Sequence, residues 1–190
     1  SDVYKRQIQA CPNGKDALII IREFNPDLVI SDIMMPEMSG DELCSAIKGD
    51  LEMSHIPVVL LTAQGDEKNM LEGLEIGADA YITKPFSVGI LKATIKNLLA
   101  NRALLRQVYN SIEEEEQSFP VNCTNTLDWK FIASVKECIE KNMRDPDFNV
   151  EMLSSRHHMS RTSFFNKLKV LTGYAPADYC LLYTSPSPRD

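Results

Sequence analysis

The chain lacks any apolar run near the roughly 18 residues that a membrane span needs, its longest aliphatic stretch being residues 17–21. Its opening residues lack a signal-peptide pattern as well. The five cysteines, Cys11, Cys44, Cys123, Cys138 and Cys180, form no Cys-x-x-Cys pair, so neither a zinc site nor a disulfide framework is indicated. No membrane contact by this segment and a reducing, cytoplasmic setting are the expectations. An overall excess of positive charge is also missing. The formal net charge is -7, which taken as an average argues against nucleic acid as a partner.

That average hides a division. Residues 1–128 carry 11 Lys and Arg against 20 Asp and Glu, whereas residues 129–179 carry 8 against 6. Within the second block, 152–173 contains Arg156, Arg161, Lys167 and Lys169 and no acidic residue. An acidic module followed by a locally basic one is the reading, and 190 residues suit two small domains.

The two ends look foreign. Residues 1–7 can be encoded by a DNA segment whose reverse complement, read one base in, encodes Cys-Leu-Leu-Tyr-Thr-Ser, the sequence at 180–185. Such an inverted repeat resembles the transposon-derived adapters of sequencing libraries. Residues 1–7 and 180–190 are therefore set aside as adapter-derived.

Between these ends the first module alternates helix and strand. Helices are expected over 15–24, 40–48, 67–76 and 88–108, and short apolar strands over 28–31, 58–62 and 80–83. Strands of four or five apolar residues separated by helices of about ten point to a doubly wound α/β domain with a parallel sheet, over 8–108. In such sheets functional residues gather at the carboxyl ends of the strands. Asp32, Thr62 and Lys84 each follow a strand there. Singly, each is an ordinary turn former or solvated side chain. Together, a carboxylate, a hydroxyl and an ammonium make a nucleophile, a hydrogen-bond donor and a positive clamp for a phosphoryl group.

The segments PDLVISDIMMPEMSG, IPVVLLTA and GADAYITKPF resemble the receiver domain of two-component response regulators. The resemblance implies a flavodoxin-like receiver in which Asp32 accepts phosphate from a histidine kinase, Thr62 and Lys84 bind the phosphoryl oxygens, and Lys84-Pro85 is a cis peptide. Tyr81 matches the aromatic residue that changes rotamer on phosphorylation, and could equally be a plain half-buried sheet tyrosine. The family's Mg2+ would be held by Asp32, the backbone carbonyl of Met34 and an acidic pair on the first strand. That pair is missing from the chain, which reads as N-terminally truncated. Phosphate retention by the fragment alone is accordingly not expected. Met34, Met35 and Met38 read as loop and packing residues.

Residues 109–128 hold the run Glu113 to Glu116 with Ser118, Pro120, Asn122 and Thr124 and read as a solvated acidic linker. After it the periodicity turns helical. A helix is expected over 129–143 on Phe131, Val135, Cys138 and Ile139, a second over 150–157 capped by Asn149, and a third from Ser160 to Thr172 ended by Gly173. The last two form a helix-turn-helix within a small all-α domain over 129–179. On the third helix Phe164, Leu168 and Leu171 should point inward, leaving Ser160, Arg161, Thr162, Asn166, Lys167 and Lys169 for DNA. A basic, amide-bearing face suits phosphate contacts and base reading in a major groove. A three-helix bundle with a wet basic face reads equally well. Adjacent residues cannot share a helix face, so His157 and His158 do not suggest a metal site.

The segment DPDFNVEMLSSRHHMSRTSFFNKLKVLTGYAPADY resembles the opening of an AraC-type transcription regulator domain. The match lies in its M-S-R-x-x-[FLY]-[FY] helix start and the G-x-x-P that follows. It implies sequence-specific binding of double-stranded DNA by a homodimer, with the second helix-turn-helix unit cut off at the C-terminus. Three functions follow: a non-enzymatic, phosphorylation-controlled transcription factor, the carboxyl-terminal receiver and output segment of a hybrid sensor histidine kinase, or a protein-binding receiver whose helical tail has lost DNA function.

Overall fold

A computed structural model of the chain describes residues 7–63, 76–110, 126–142, 145 and 148–184. The chain divides into two compact units, Ser1–Lys48 with Ile56–Ile95, and Gly49–His55 with Lys96–Asp190.

The first unit begins with α1, Gly14–Phe24, whose N-cap Asn13 accepts a hydrogen bond from the Asp16 backbone N–H at 2.9 Å. Asp16 also places negative charge at the positive end of the helix dipole. Strand β1, Val29–Asp32, leads through a short loop into α2, Gly40–Gly49. Ser39 and Glu42 close the start of α2 reciprocally: the Ser39 hydroxyl accepts from the Glu42 N–H at 3.2 Å, and the Glu42 carboxylate from the Ser39 N–H at 2.8 Å. Strand β2, Val58–Ala63, and strand β3, Ala80–Lys84, follow, and then the 23-residue helix α3, Val88–Asn110, of which only the residues up to Ile95 belong to this unit.

The described strands form one parallel sheet in the order β1-β2-β3. Val58, Val59 and Leu60 are each fully buried, so successive side chains on opposite faces of β2 are all covered. That is the condition of a parallel strand enclosed on both faces. At the amino edge of the sheet the Asp79 carboxylate accepts from the Val58 N–H at 2.8 Å and from Lys48 Nζ at 2.7 Å. Lys48 in turn reaches the Ile56 carbonyl at 3.0 Å. Strand limits agree with expectation to within one residue. The helix expected over 67–76 lies outside the described residues except for Ile76, which is helical.

The second unit carries α4, Thr126–Asn142, α5, Val150–Arg156, α6, Arg161–Thr172, and α7, Pro176–Thr184. Asn149 caps α5 through Glu151 and Met152 N–H groups, Ser160 caps α6 through the Ser163 N–H, and Gly173 at φ 82° ends α6. The core joins Phe131, Ile132, Val135 and Ile139 of α4 to Leu153, Met159, Phe164, Leu168, Leu171 and Tyr179.

Three expected limits shift. Helix α4 starts at Thr126 rather than at 129, which takes residues 126–128 out of the linker, and Asp128 in its first turn is fully buried and ion-paired. The expected linker residues 111–125 lie outside the described residues. The compact units part between Ile95 and Lys96, earlier than the expected domain end at 108. Finally, α7 continues through 180–184, with Cys180 packed against the core, where the domain was expected to end at 179.

Candidate functional site at the carboxyl edge of the sheet

Strand register brings the candidate residues to one edge. Asp32 pairs with Leu61 across β1 and β2, while Thr62 pairs with Thr83 and Ala63 with Lys84 across β2 and β3. Asp32 and Lys84 thus end β1 and β3, and Thr62 stands one residue before the end of β2 between them. The Lys84 ammonium spans β2 and donates to Asp32 Oδ2. Asp32 Oδ1 accepts from the Met34 N–H at 3.3 Å. Lys84 beside it, and then the N–H groups of Met34 and Ile33, hold the Asp32 carboxyl below its ordinary pKa against a smaller opposing push from burial. Both side chains remain open to water, at 37% and 41% exposed. An ionised carboxylate oxygen at an open edge, beside a fixed cation, can attack an electrophilic phosphorus and have the developing charge neutralised.

Thr62 takes a different place. It is buried, and its hydroxyl donates within its own strand to the Ala63 carbonyl at 3.4 Å. Tyr81 is half-buried, its hydroxyl has no hydrogen-bond partner among the described residues, and burial, then Cys44 and Asp41, pushes its pKa up to about 12. The Lys84-Pro85 peptide is cis. The Met34 side chain is 79% exposed.

The implied Mg2+ was tied to Asp32 and the Met34 carbonyl. Mg2+ requires a near-octahedral shell of oxygens, and no group of three or more His, Cys, Asp or Glu side chains that could hold a metal stands among the described residues. One carboxylate and one carbonyl do not by themselves fit the ion.

Two glycines missing from the sequence reading shape this edge. A Cβ on Gly40 would lie 2.2 Å from the Asp32 carbonyl oxygen, and one on Gly14 would lie 2.8 Å from the Met38 side chain and 2.9 Å from its carbonyl. The Gly40 N–H also donates to the Ile33 carbonyl at 2.9 Å. The starts of α1 and α2 therefore press directly on the loop that follows Asp32.

On α6, Arg161, Thr162 and Lys169 are exposed, Asn166 is half-buried, and exposed Ser160 is engaged as the helix cap. Lys167 corrects the expectation. It is fully buried, counts Asp128 among its acceptors at 2.7 Å, and lies 5.1 Å from the centre of the Phe131 ring. Phe164, Lys167, Leu168 and Leu171 fall at i, i+3, i+4 and i+7, one stripe of a helix, and Lys167 lies on the stripe that faces the core. The His157 ring packs edge-on against Phe131 at 5.6 Å, and burial lowers its pKa. No helix among the described residues is long and apolar enough to cross a membrane.

The sequence profile of the response regulator receiver domain matches residues 2–96. Histidine kinase P4 of Formosa agariphila is 41% identical over 168 residues, covering 88% of this chain and 12% of that protein. The phosphate regulon transcriptional regulatory protein PhoB of Pseudomonas aeruginosa is 46% identical over 87 residues, 46% of this chain and 38% of that one. The crystal structure of NtrX from Brucella abortus superposes with a TM-score of 0.52 at 20% identity, over 71% of this chain and 29% of that one; at that identity the likeness concerns the fold. The chain thus spans well under half the length of each of these relatives.

Proposed function

The chain belongs to the response regulator receiver family of two-component signalling, whose members accept phosphate from histidine kinases, and from that premise we propose that Asp32 is its phosphate acceptor. The observation that carries the reading is the Lys84–Asp32 ion pair across the carboxyl edge. Asp32 attacks the phosphorus of a phosphohistidine, the P–N bond breaks, and the phosphoryl group passes to the carboxylate while the imidazole leaves and takes up a proton. Lys84 neutralises the incoming oxygens, and Thr62 turns its hydroxyl from the Ala63 carbonyl to them. Tyr81, with its unengaged hydroxyl, changes rotamer as Thr62 moves. On this reading these residues accept phosphate from a kinase, and any kinase activity of the protein would come from a further domain upstream.

The second unit reads as the output. Its helix-turn-helix, with exposed Arg161, Thr162 and Lys169 and half-buried Asn166 on α6, supports binding of double-stranded DNA by a homodimer under control of Asp32 phosphorylation. Lys167 leaves this set because a buried ammonium cannot reach DNA.

One observation favours a particular setting. The similarity to Histidine kinase P4 runs over 88% of the chain, beyond the receiver match at 2–96, which supports the carboxyl-terminal segment of a hybrid histidine kinase over a free-standing regulator.

The test is phosphotransfer from a phosphorylated histidine kinase to the full-length protein. Hydroxylamine-labile label is expected in the wild type, absent from Asp32→Asn, and much reduced in Lys84→Ala. Undiminished label in Asp32→Asn would remove Asp32 from the role.

A further inference from the structure

Lys167 and Asp128 are both fully buried, 39 residues apart in sequence, on α6 and α4. Taking two charges out of water costs free energy that their attraction barely offsets, and apolar residues of similar size commonly hold a core as well or better. What a buried pair supplies is geometry, since the two charges can meet in one arrangement only. Here that arrangement is narrow. The Lys167 ammonium lies 2.7 Å from Asp128 Oδ1 and 5.1 Å from the Phe131 ring centre, and Phe131 stands edge-on to Phe164, three residues before Lys167, at 5.6 Å. Rotating α6 by one residue, or sliding it by one turn, would carry the buried ammonium away from Asp128 Oδ1 and from its other acceptors, the Ser54 hydroxyl at 2.7 Å and the Leu51 carbonyl. An all-apolar contact between α4 and α6 would impose no such penalty.

We infer that the buried Lys167–Asp128 pair sets the rotation and register of α6 against α4, and so decides which side chains α6 presents outward. Lys167 is a positioning residue in this sense and touches no ligand. Where α6 meets DNA, an inference that rests on the function proposed above, the pair governs which bases Arg161, Thr162 and Lys169 can reach.

The test compares the wild-type chain with Lys167→Met, with the double variant Asp128→Leu and Lys167→Met, and with Asp128→Asn. Lys167→Met alone should melt lower than the double variant, because it leaves Asp128 buried without its cation. The double variant should keep its helical circular dichroism but lose amide dispersion for α4 and α6 in 1H–15N spectra. From a pool of random 20-base-pair duplexes it should lose sequence enrichment by about tenfold while still binding bulk duplex, since phosphate contacts carry little sequence information. Asp128→Asn, which keeps shape and an acceptor oxygen, should lose hydrogen-exchange protection in α6 and none in the sheet. A double variant with native dispersion and native enrichment overturns the inference, as does undiminished α6 protection in Asp128→Asn. Should the wild type enrich no duplex at all, the DNA reading fails alone, and the amide spectra still decide whether the pair positions α6.

Discussion

Gly40 sits against Asp32 so closely that a Cβ on it would lie 2.2 Å from the Asp32 carbonyl oxygen, with backbone and not a flexible side chain in the way. The start of α2 thereby sets the backbone from which the candidate acceptor carboxylate projects. Gly40→Ala should force this contact apart and lower stability by about 1–3 kcal/mol, the range of overpacking a close-packed site. Urea denaturation measures it. Unchanged stability together with unchanged phosphotransfer would show that the loop can give way.

The Asp32 carboxyl is held below its ordinary pKa chiefly by Lys84. A lowered folded-state value means that the stabilisation exists above the ordinary pKa of about 4 and is lost as pH falls through the lower, folded value. Because both partners are more than a third exposed, the contribution to stability should be at most about 1 kcal/mol. The sensitive measurement is a carboxyl 13C titration. Lys84→Met should move the Asp32 midpoint upward, and an unmoved midpoint would mean that Lys84 is not what holds it.

Asp79 and Lys48 tie the amino edge of the sheet, with side chains only 14% and 10% exposed. Asp79→Ala leaves a nearly buried ammonium without its carboxylate and removes the acceptor of the Val58 N–H. A loss of about 3 kcal/mol is expected. A loss below about 0.5 kcal/mol, the level of an ordinary surface change, would mean that water takes over the carboxylate's place.

Arg161→Ala and Lys169→Ala remove exposed charges and should leave the melting temperature unchanged while each lowers the salt slope of DNA binding by about one unit. Lys167→Met should do the reverse, unfolding the helices more easily without acting as a lost phosphate contact. Equal behaviour of all three would contradict the placement of Lys167.

Burial raises the Tyr81 phenol to about 12. The alkaline absorbance titration of the wild type minus that of Tyr81→Phe should therefore show a component near this value. A component near 10, the ordinary phenol value, would place Tyr81 in water and weaken its candidacy as a switch.

Much of this was legible in the chain. The strands at Val29–Asp32, Val58–Ala63 and Ala80–Lys84 announce themselves as short, mainly apolar runs with Asp32, Thr62 and Lys84 at or next to their last residue, because a strand covered on both faces leaves little room for polar side chains until it nears the edge. Asn149, Ser160 and Gly173 mark helix ends through local hydrogen bonding and backbone freedom alone. The role of Gly40 was not legible, since a glycine before a helix reads as punctuation until the neighbouring carbonyl is in place. Asp128 closed an acidic, polar stretch and looked solvated, and Lys167 looked like one more member of a basic face.

The sequence by itself determined the alternation of strand and helix, the placing of Asp32, Thr62 and Lys84 at strand ends, and the helix limits marked by Asn149, Ser160 and Gly173, all of which depend on contacts within a few residues. Only the tertiary structure decided that Lys84 spans β2 to reach Asp32, that Thr62 bonds within its own strand, and that Lys167 and Asp128 pair in the core. Those outcomes turn on strand register and on which helices meet, and a charge separated by tens of residues from its partner carries no local mark of whether it will be hydrated or buried.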